Sequence, residues 1–286
     1  MWSFSTPIEK SNIKSLAIGR FDGMHLGHLE LCKHLCENSV LLIILKDEND
    51  FLTPNNFRNK IIPIPLVFMS FTKIKHLNAK DFLNLLLSEF NHLEKIVVGY
   101  DFKFGKERKW EAKDIYKLCG VKTIIVDEFK KNNQSVHTSM IKTMLKNGLV
   151  FQVREYLGRF YNIFASVIKG QGIGSKELFA TINLKVKNFF LPKDGVYASI
   201  VKFDNKTFHS VAFIGIRSTD EHFSIETHIL EDDFNEKVPK EVELVFIDYI
   251  RENQKFNDLT LLKAQISKDI IQAKQILGKI DERRNF

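Results

Sequence analysis

The sequence predicts two domains: an α/β domain on a parallel sheet, then a small antiparallel β-barrel or sandwich with a C-terminal helix. Three observations lead there. In the first half, short buried apolar runs alternate with helix-patterned segments. In the second half, strands of alternating polarity follow one another across turn-like runs. The final segment repeats apolar residues at helical spacing. The 286 residues suffice for two domains of roughly 100–200 residues each. The boundary is expected around 154–160, giving 1–157 and 158–286.

The elements follow in order. Residues 15–18 read as a strand, 26–35 as a helix and 40–45 as a second buried strand. Residues 79–90 are helical, with Phe82, Leu85, Leu86 and Phe90 on one face. Residues 95–98 form a short strand ending at Gly99; 114–118 are helical, 123–126 a strand, and about 139–146 a helix. The character changes at Leu157, Gly158 and Arg159. Residues 161–169, 195–203, 207–215, 223–230 and 242–250 read as strands, with turns at 170–174 and 204–206. Phe256, Leu259, Leu262, Ile266, Ile270 and Leu277 mark the closing helix, which Asn257 or Asp258 would cap. No internal repeat or low-complexity segment occurs.

Composition narrows the class. A hydrophobic fraction of 44% fits a globular protein. The longest apolar run, 40–45, is far too short to span a bilayer, so no membrane partner is expected. No basic segment followed by an apolar stretch opens the chain, so no secretory leader is expected. Cys32, Cys36 and Cys119 lack zinc-type spacing and read as reduced structural thiols, consistent with a cytoplasmic setting. Cys32 and Cys36 lie one helical turn apart, a metal pair only if further ligands join them. The net charge of +7 suits nucleic acid or a phosphate-rich small substrate. It is not concentrated in a tail, so nucleic acid is the weaker expectation.

The chemistry concentrates in "SLAIGRFDGMHLGHLELCKHL". A strand running into a glycine-bearing loop and then a helix is an anion site in waiting. Gly19, Gly23 and Gly27 allow close backbone approach to a phosphate. His25 and His28, three apart, can face one ligand and gain charge as negative charge develops. A metal pair would need a third ligand, and no H-E-x-x-H pattern occurs.

"GRFDGMHLGH" resembles the G-x-F-D-G-x-H-x-G-H motif of the bifunctional bacterial riboflavin kinase/FAD synthetases, which are H-x-G-H nucleotidyltransferases. The resemblance implies an α/β nucleotidyltransferase first domain. It also implies nucleotide contacts from Gly19, Phe21, Asp22, Gly23 and Gly27, and catalytic roles for His25 and His28. "VVGYDFKFGKER" resembles the family's V-V-G-x-D-F-x-F-G, with Asp101 on the site-forming position. "VHTSMIK" stands where the family has I-S-S-T-x-I-R. Thr138 and Ser139 match in type, His137 replaces a serine, and Lys142 replaces the arginine, a point charge in place of a bidentate fork. The family's F-x-P-H-P after the second strand is absent.

"GRFYNIFASVIKGQGIGSKELFATINL" resembles the kinase module's opening, with Gly170, Gly172 and Gly174 in the loop that would cover a triphosphate. Thr181 and Asn183 match the family's last positions and, in a strand, share a face. They would hold Mg²⁺ and phosphate. Ala180, Ile182 and Leu184 face the other way. "FSIETHIL" resembles the family's E-T-H-I-L strand, with Phe223, Ile225 and Ile229 inward and Glu226 placed as general base for a ribityl hydroxyl. Leu178, Ala180 and Ser218 depart from the pattern, and Ile173 and Ser175 stand where basic residues are frequent. The resemblance thus implies a β-barrel riboflavin kinase and an FMN adenylyltransferase in one chain. Riboflavin, FMN, FAD and ATP would be its partners and Mg²⁺ its cofactor. Two alternatives remain: an adenylyltransferase with a flavin-binding but inactive kinase-like domain, and a flavin-responsive or RNA-binding regulator.

Overall fold

The computed structural model describes residues 2–4, 8–46, 48–169, 179–217, 221–231, 234–256 and 258–284. Its internal contacts divide the chain into two compact units, Met1–Thr138 and Ser139–Phe286. Gly170, Gly172 and Gly174, with Ile173, Ser175, Leu178, Ser218 and Asn257, lie outside the described residues.

The first unit contains β1 (Trp2–Phe4), β2 (Ser15–Gly19), α1 (Leu26–Cys32), β3 (Ser39–Leu45), β4 (Leu66–Ser70), α2 (Phe71–Ile74) and α3 (Ala79–Glu89). It continues with β5 (Lys95–Gly99), β6 (Lys103–Phe104), β7 (Trp110–Glu111), α4 (Asp114–Cys119), β8 (Lys122–Val126), β9 (Lys130–Lys131) and β10 (Gln134–Ser135). Helix α5 (Thr138–Lys146) spans the division. The main sheet runs β1-β4-β3-β2-β5-β8. Its five long strands are parallel, and β1 joins antiparallel at the β4 edge.

Strand alternation builds two cores, one on each face. Leu16, Ile18, Val40, Leu42, Ile96 and Val98 pack with Phe82, Leu83 and Leu86 of α3. Ala17, Leu41, Ile43 and Val97 face the other way, onto Phe21, Met24 and Leu29. The chain steps outward from β2 to β3 and β4, then returns to the other side of β2 with β5. The carboxyl ends of β2 and β5 therefore form a topological switch point, where open α/β sheets place ligands.

The second unit contains α6 (Val150–Leu157), β11 (Asn162–Ile168), β12 (Ile182–Val186), β13 (Gly195–Phe203), β14 (Lys206–Ile216), β15 (Phe223–Ile229), β16 (Glu241–Arg251) and α7 (Leu259–Arg284). The six strands close as β11-β12-β15-β14-β13-β16, all antiparallel. Closure leaves no free edge. Asp258 caps α7, its Oδ1 accepting from the N–H groups of Thr260 and Leu261. The helix stripe has two tasks. Ala273, Leu277 and Ile280 pack on Ala198, Ile200 and Val245 of the barrel. Leu262 and Ile266 instead wall a pocket, and Ile270 serves both.

Three expectations need correction. Helix α1 stops at Cys32, short of 35. Phe223 does not point inward; it is 53% exposed, and Thr227 joins Ile225 and Ile229 as the buried set of β15. Leu259 is exposed at the end of α7 rather than on its buried stripe. Strand β4 and helix α6 were not anticipated.

Arg251 and Asp269 hold α7 to β16. The guanidinium Nε donates to Oδ1 at 2.8 Å and a terminal nitrogen to Oδ2 at 2.7 Å. Gln265 adds a donor to Oδ1 at 2.9 Å. Asp269 is buried, so removing it strands a charge that water barely reaches. Asp269→Ala is expected to destabilise the barrel unit by about 3 kcal/mol in urea unfolding of the full chain. A loss under about 0.5 kcal/mol, the size of a surface substitution, would show that the pair is not holding the helix.

Candidate functional site

The first constellation sits at the switch point. Gly19 ends β2, and the chain turns through Phe21, Gly23 and Met24, all at positive φ (49°, 85° and 42°). Gly23 is required at its position: a Cβ would lie 2.7 Å from Leu52 Cδ1. For Phe21 and Met24 the conformation is costly, and the surroundings must hold it. Asp22, 2% exposed, accepts the Thr53 N–H on Oδ1 at 3.0 Å. Its carbonyl accepts the Thr138 hydroxyl at 2.9 Å. Thr138 is thus committed to the loop as well as opening α5.

His25 is the N-cap of α1, with its Nδ1 accepting the His28 N–H at 3.3 Å. That bond places the imidazole proton of neutral His25 on Nε2. The two rings stack with centroids 3.6 Å apart and planes 20° apart. Phe21 packs against His28 at 5.2 Å. His28 retains some exposed surface, yet its Nδ1 is buried without a hydrogen-bond partner among the described residues. Burial, and then the charges of His25, Arg58 and His137, push the His28 pKa well below the ordinary value. The stacked imidazoles can donate to phosphate oxygens and take up charge as it develops. Helix α1 has only seven residues, so the histidines, more than a helix dipole, supply the attraction.

Gly27 lies in the first turn of α1, where a Cβ would lie 3.2 Å from His25 Nδ1. Asp101 follows β5 at the same end of the sheet and is exposed. Ser139 and Lys142 follow Thr138 on α5, in the second unit. The Lys142 ammonium lies 5.3 Å from the Phe190 ring centroid.

The second constellation is on the barrel. Asn183 of β12 stands directly across from Glu226 of β15, so their side chains share a face. Thr181, just before β12, and Glu226 line a pocket whose walls include Val196, Phe213, Leu262 and Ile266. Leu184 is buried on the opposite face, Ile182 is half-buried and Ala180 is exposed. Arg217 donates to Glu226 Oε1 at 3.1 Å. His228 Nδ1 lies 2.7 Å from the Ala180 carbonyl oxygen and so ties the segment before β12 to β15. The result is an apolar slot lined in part by a carboxylate and a hydroxyl, with the Asn183 amide across from the carboxylate. Oxygen donors of this kind suit Mg²⁺, which is held by few protein groups and shares substrate phosphates. Among the described residues, no group of three or more His, Cys, Asp or Glu side chains could hold a metal ion.

Sequence reasoning did not single out Arg58, Arg217 or Asp269. Arg58 lies in "NNFRNK", which has neither periodicity nor a motif. Arg217 and Asp269 became legible only through strand register and helix packing.

Known proteins resemble the chain over most of its length. The riboflavin kinase family model matches residues 157–277, and the FAD synthetase model matches 64–140. The chain is 30% identical to the bifunctional riboflavin kinase/FMN adenylyltransferase of Buchnera aphidicola from Acyrthosiphon pisum, covering 92% of this chain and 94% of that one. It is 28% identical to the protein of the same description from Bacillus subtilis, covering 92% of each. A crystal structure from Streptococcus pneumoniae, described as a macrolide-efflux protein, superposes with a TM-score of 0.82 at 22% identity, covering 94% of this chain and 96% of that one. That last likeness speaks for the fold. No helix among the described residues is long and apolar enough to cross a membrane.

The depressed His28 pKa has a consequence for stability. An unfolded imidazole takes up its proton near pH 6.5, while the folded one does not until lower pH. The unfolded state therefore binds more protons in that window, and stability falls as pH drops below about 6.5. Denaturant unfolding at pH 7, 6 and 5 should show a steeper loss for the native chain than for His28→Gln. Parallel curves would mean that His28 titrates normally in the folded state.

Proposed function

The chain belongs to the bifunctional riboflavin kinase/FMN adenylyltransferase family, whose members carry two transferase activities, and on that premise we propose how its sites divide the work. Residues 158–286 phosphorylate riboflavin with ATP, giving FMN and ADP. Residues 1–157 join FMN to the AMP part of ATP, giving FAD and pyrophosphate. One observation carries the reading: a single chain holds both the stacked His25–His28 pair at a sheet switch point and Glu226 beside an apolar slot. A cytoplasmic setting completes the proposal, supported by three cysteines that are all free.

In the kinase site the apolar slot takes the flavin ring, and Glu226 accepts the proton of the attacking ribityl hydroxyl. The new bond forms from that oxygen to the γ-phosphorus, and the bond to ADP breaks. Arg217 orients the carboxylate. Thr181 and Asn183 would hold Mg²⁺, which when bound neutralises phosphate charge. Gly170, Gly172 and Gly174 belong to this proposal on the sequence resemblance alone.

In the adenylyl site the FMN phosphate is already an anionic nucleophile, so no base is needed. Its oxygen bonds to the α-phosphorus of ATP and pyrophosphate leaves. His25 and His28 donate to the phosphate oxygens as charge builds. Gly19, Phe21, Asp22, Gly23 and Gly27 shape the cradle. Asp101, Thr138, Ser139 and Lys142 complete the nucleotide contacts, with Lys142 as a point charge.

Incubation of the protein with riboflavin and Mg–ATP, followed by chromatographic separation of flavins, tests the reading. FMN and FAD should both appear. FAD formed only from supplied FMN would leave the barrel as a binding module, and neither product would remove the proposal altogether. His28→Ala should abolish FAD formation while FMN formation continues; a folded variant that loses both would end the two-site division. Glu226→Gln should lower riboflavin phosphorylation by about 10²–10⁴-fold, with FAD synthesis from supplied FMN nearly unchanged. Normal phosphorylation by that variant would rule out a general base at this position.

A further inference from the structure

We propose that Arg58 is a positioning residue for adenylyl transfer, holding the loop of residues 20–25 in the shape that presents His25 and His28 to the nucleotide. The proposal rests on the adenylyl-transfer reading of the first unit and adds a residue that neither family motif assigns. Arg58 is 1% exposed, among the most deeply buried side chains in the protein. A guanidinium taken so far from water is expensive unless it is paired and hydrogen-bonded. Its Nε donates to the Phe21 carbonyl at 3.0 Å. Phe21 is the aromatic residue held at φ 49°, and its ring supports His28. The bond therefore acts on the point of the loop most in need of restraint.

The electrostatics agree. Burial lowers the Arg58 pKa to about 10, opposed by the neighbouring Asp22 carboxylate and aided by Arg20. Asp22 is the residue that also binds Thr53 and Thr138. Arg58 and Thr53 come from the segment that follows β3, where the family's F-x-P-H-P pattern is missing. The stretch "FLTPNNFR" grips the motif loop through two bonds, Thr53 N–H to Asp22 and Arg58 Nε–H to Phe21. His28 is faced by His25, Arg58 and His137 as its charged or titratable neighbours, and Arg58 by Asp22 and Arg20.

The test uses the full-length chain and measures both transferase activities with pH profiles, well below the unfolding temperature. Arg58→Met should lower kcat for FAD formation by roughly 10–100-fold, as expected for a misplaced constellation, with FMN formation unchanged. Its acid limb for FAD formation should also move to higher pH, because a positive charge opposing His28 protonation is gone. Arg58→Lys keeps that charge and loses the fixed Nε–H, so it should keep the native limb and lose rate alone. A purely scaffolding role would reduce the folded fraction without moving the limb. Arg58→Met with native rate and native profile overturns the proposal, as does a parallel loss of both activities. If Arg58→Met does not fold, Arg58→Lys decides, and native FAD synthesis by that variant overturns the proposal. If the unmodified chain makes no FAD at all, the adenylyl-transfer reading fails, an outcome distinct from these.

Discussion

A carboxylate at 2% exposure, just past the end of a central parallel strand, has to find donors within the protein, and Asp22 finds them on segments distant in sequence. Its side chain takes the Thr53 N–H, its backbone carbonyl takes the Thr138 hydroxyl, and the Arg58 charge lies beside it. These contacts hold a loop in which three residues within a span of four have positive φ. Without such restraint the loop would relax, since an aromatic residue in that region of backbone space costs of order 1–3 kcal/mol. The His25–His28 stack stands at the exit of this loop, so its geometry is inherited from Asp22 and its partners.

The barrel unit solves a different problem. A closed sheet has an interior full of side chains, so a ligand slot must be made on the outside. Helix α7 makes it by standing off the barrel along part of its length and packing closely along the rest. The Arg251–Asp269 pair lines the slot and secures the helix there. Strand alternation does the remaining work: Ile225, Thr227 and Ile229 turn inward, which leaves Glu226 facing out beside Asn183.

Much of this was legible in the residues. The alternation of Leu16, Ala17 and Ile18 between two cores follows from a fully buried strand, and residues 195–203 were bounded correctly because a polar turn brackets them. The glycine-framed histidines were legible as a junction from a strand through a loop into a helix. Other parts were hidden for physical reasons. Strand β4 follows a run interrupted by Pro63 and Pro65, which breaks the pattern that would announce it. Helix α6 carries Val150, Val153, Tyr156 and Leu157 at readable spacing, but it lies against the expected boundary and was absorbed by it. Phe223 continued an alternation on paper, whereas at the strand's first residue it is 53% exposed. Arg58 gave no signal, because its burial depends entirely on tertiary placement.

Gly27 carries a consequence for how this protein can be improved. A glycine inside a helix is the usual target of stabilising substitution, and alanine there gains about 1 kcal/mol of helix propensity. Here the added methyl would press on the ring of His25, the residue whose orientation the whole loop is built to fix. Consensus-style redesign would therefore have to weigh the gain in helix propensity against that contact at this position. The balance between helix propensity and room for the His25 ring is set at one hydrogen atom on one α-carbon.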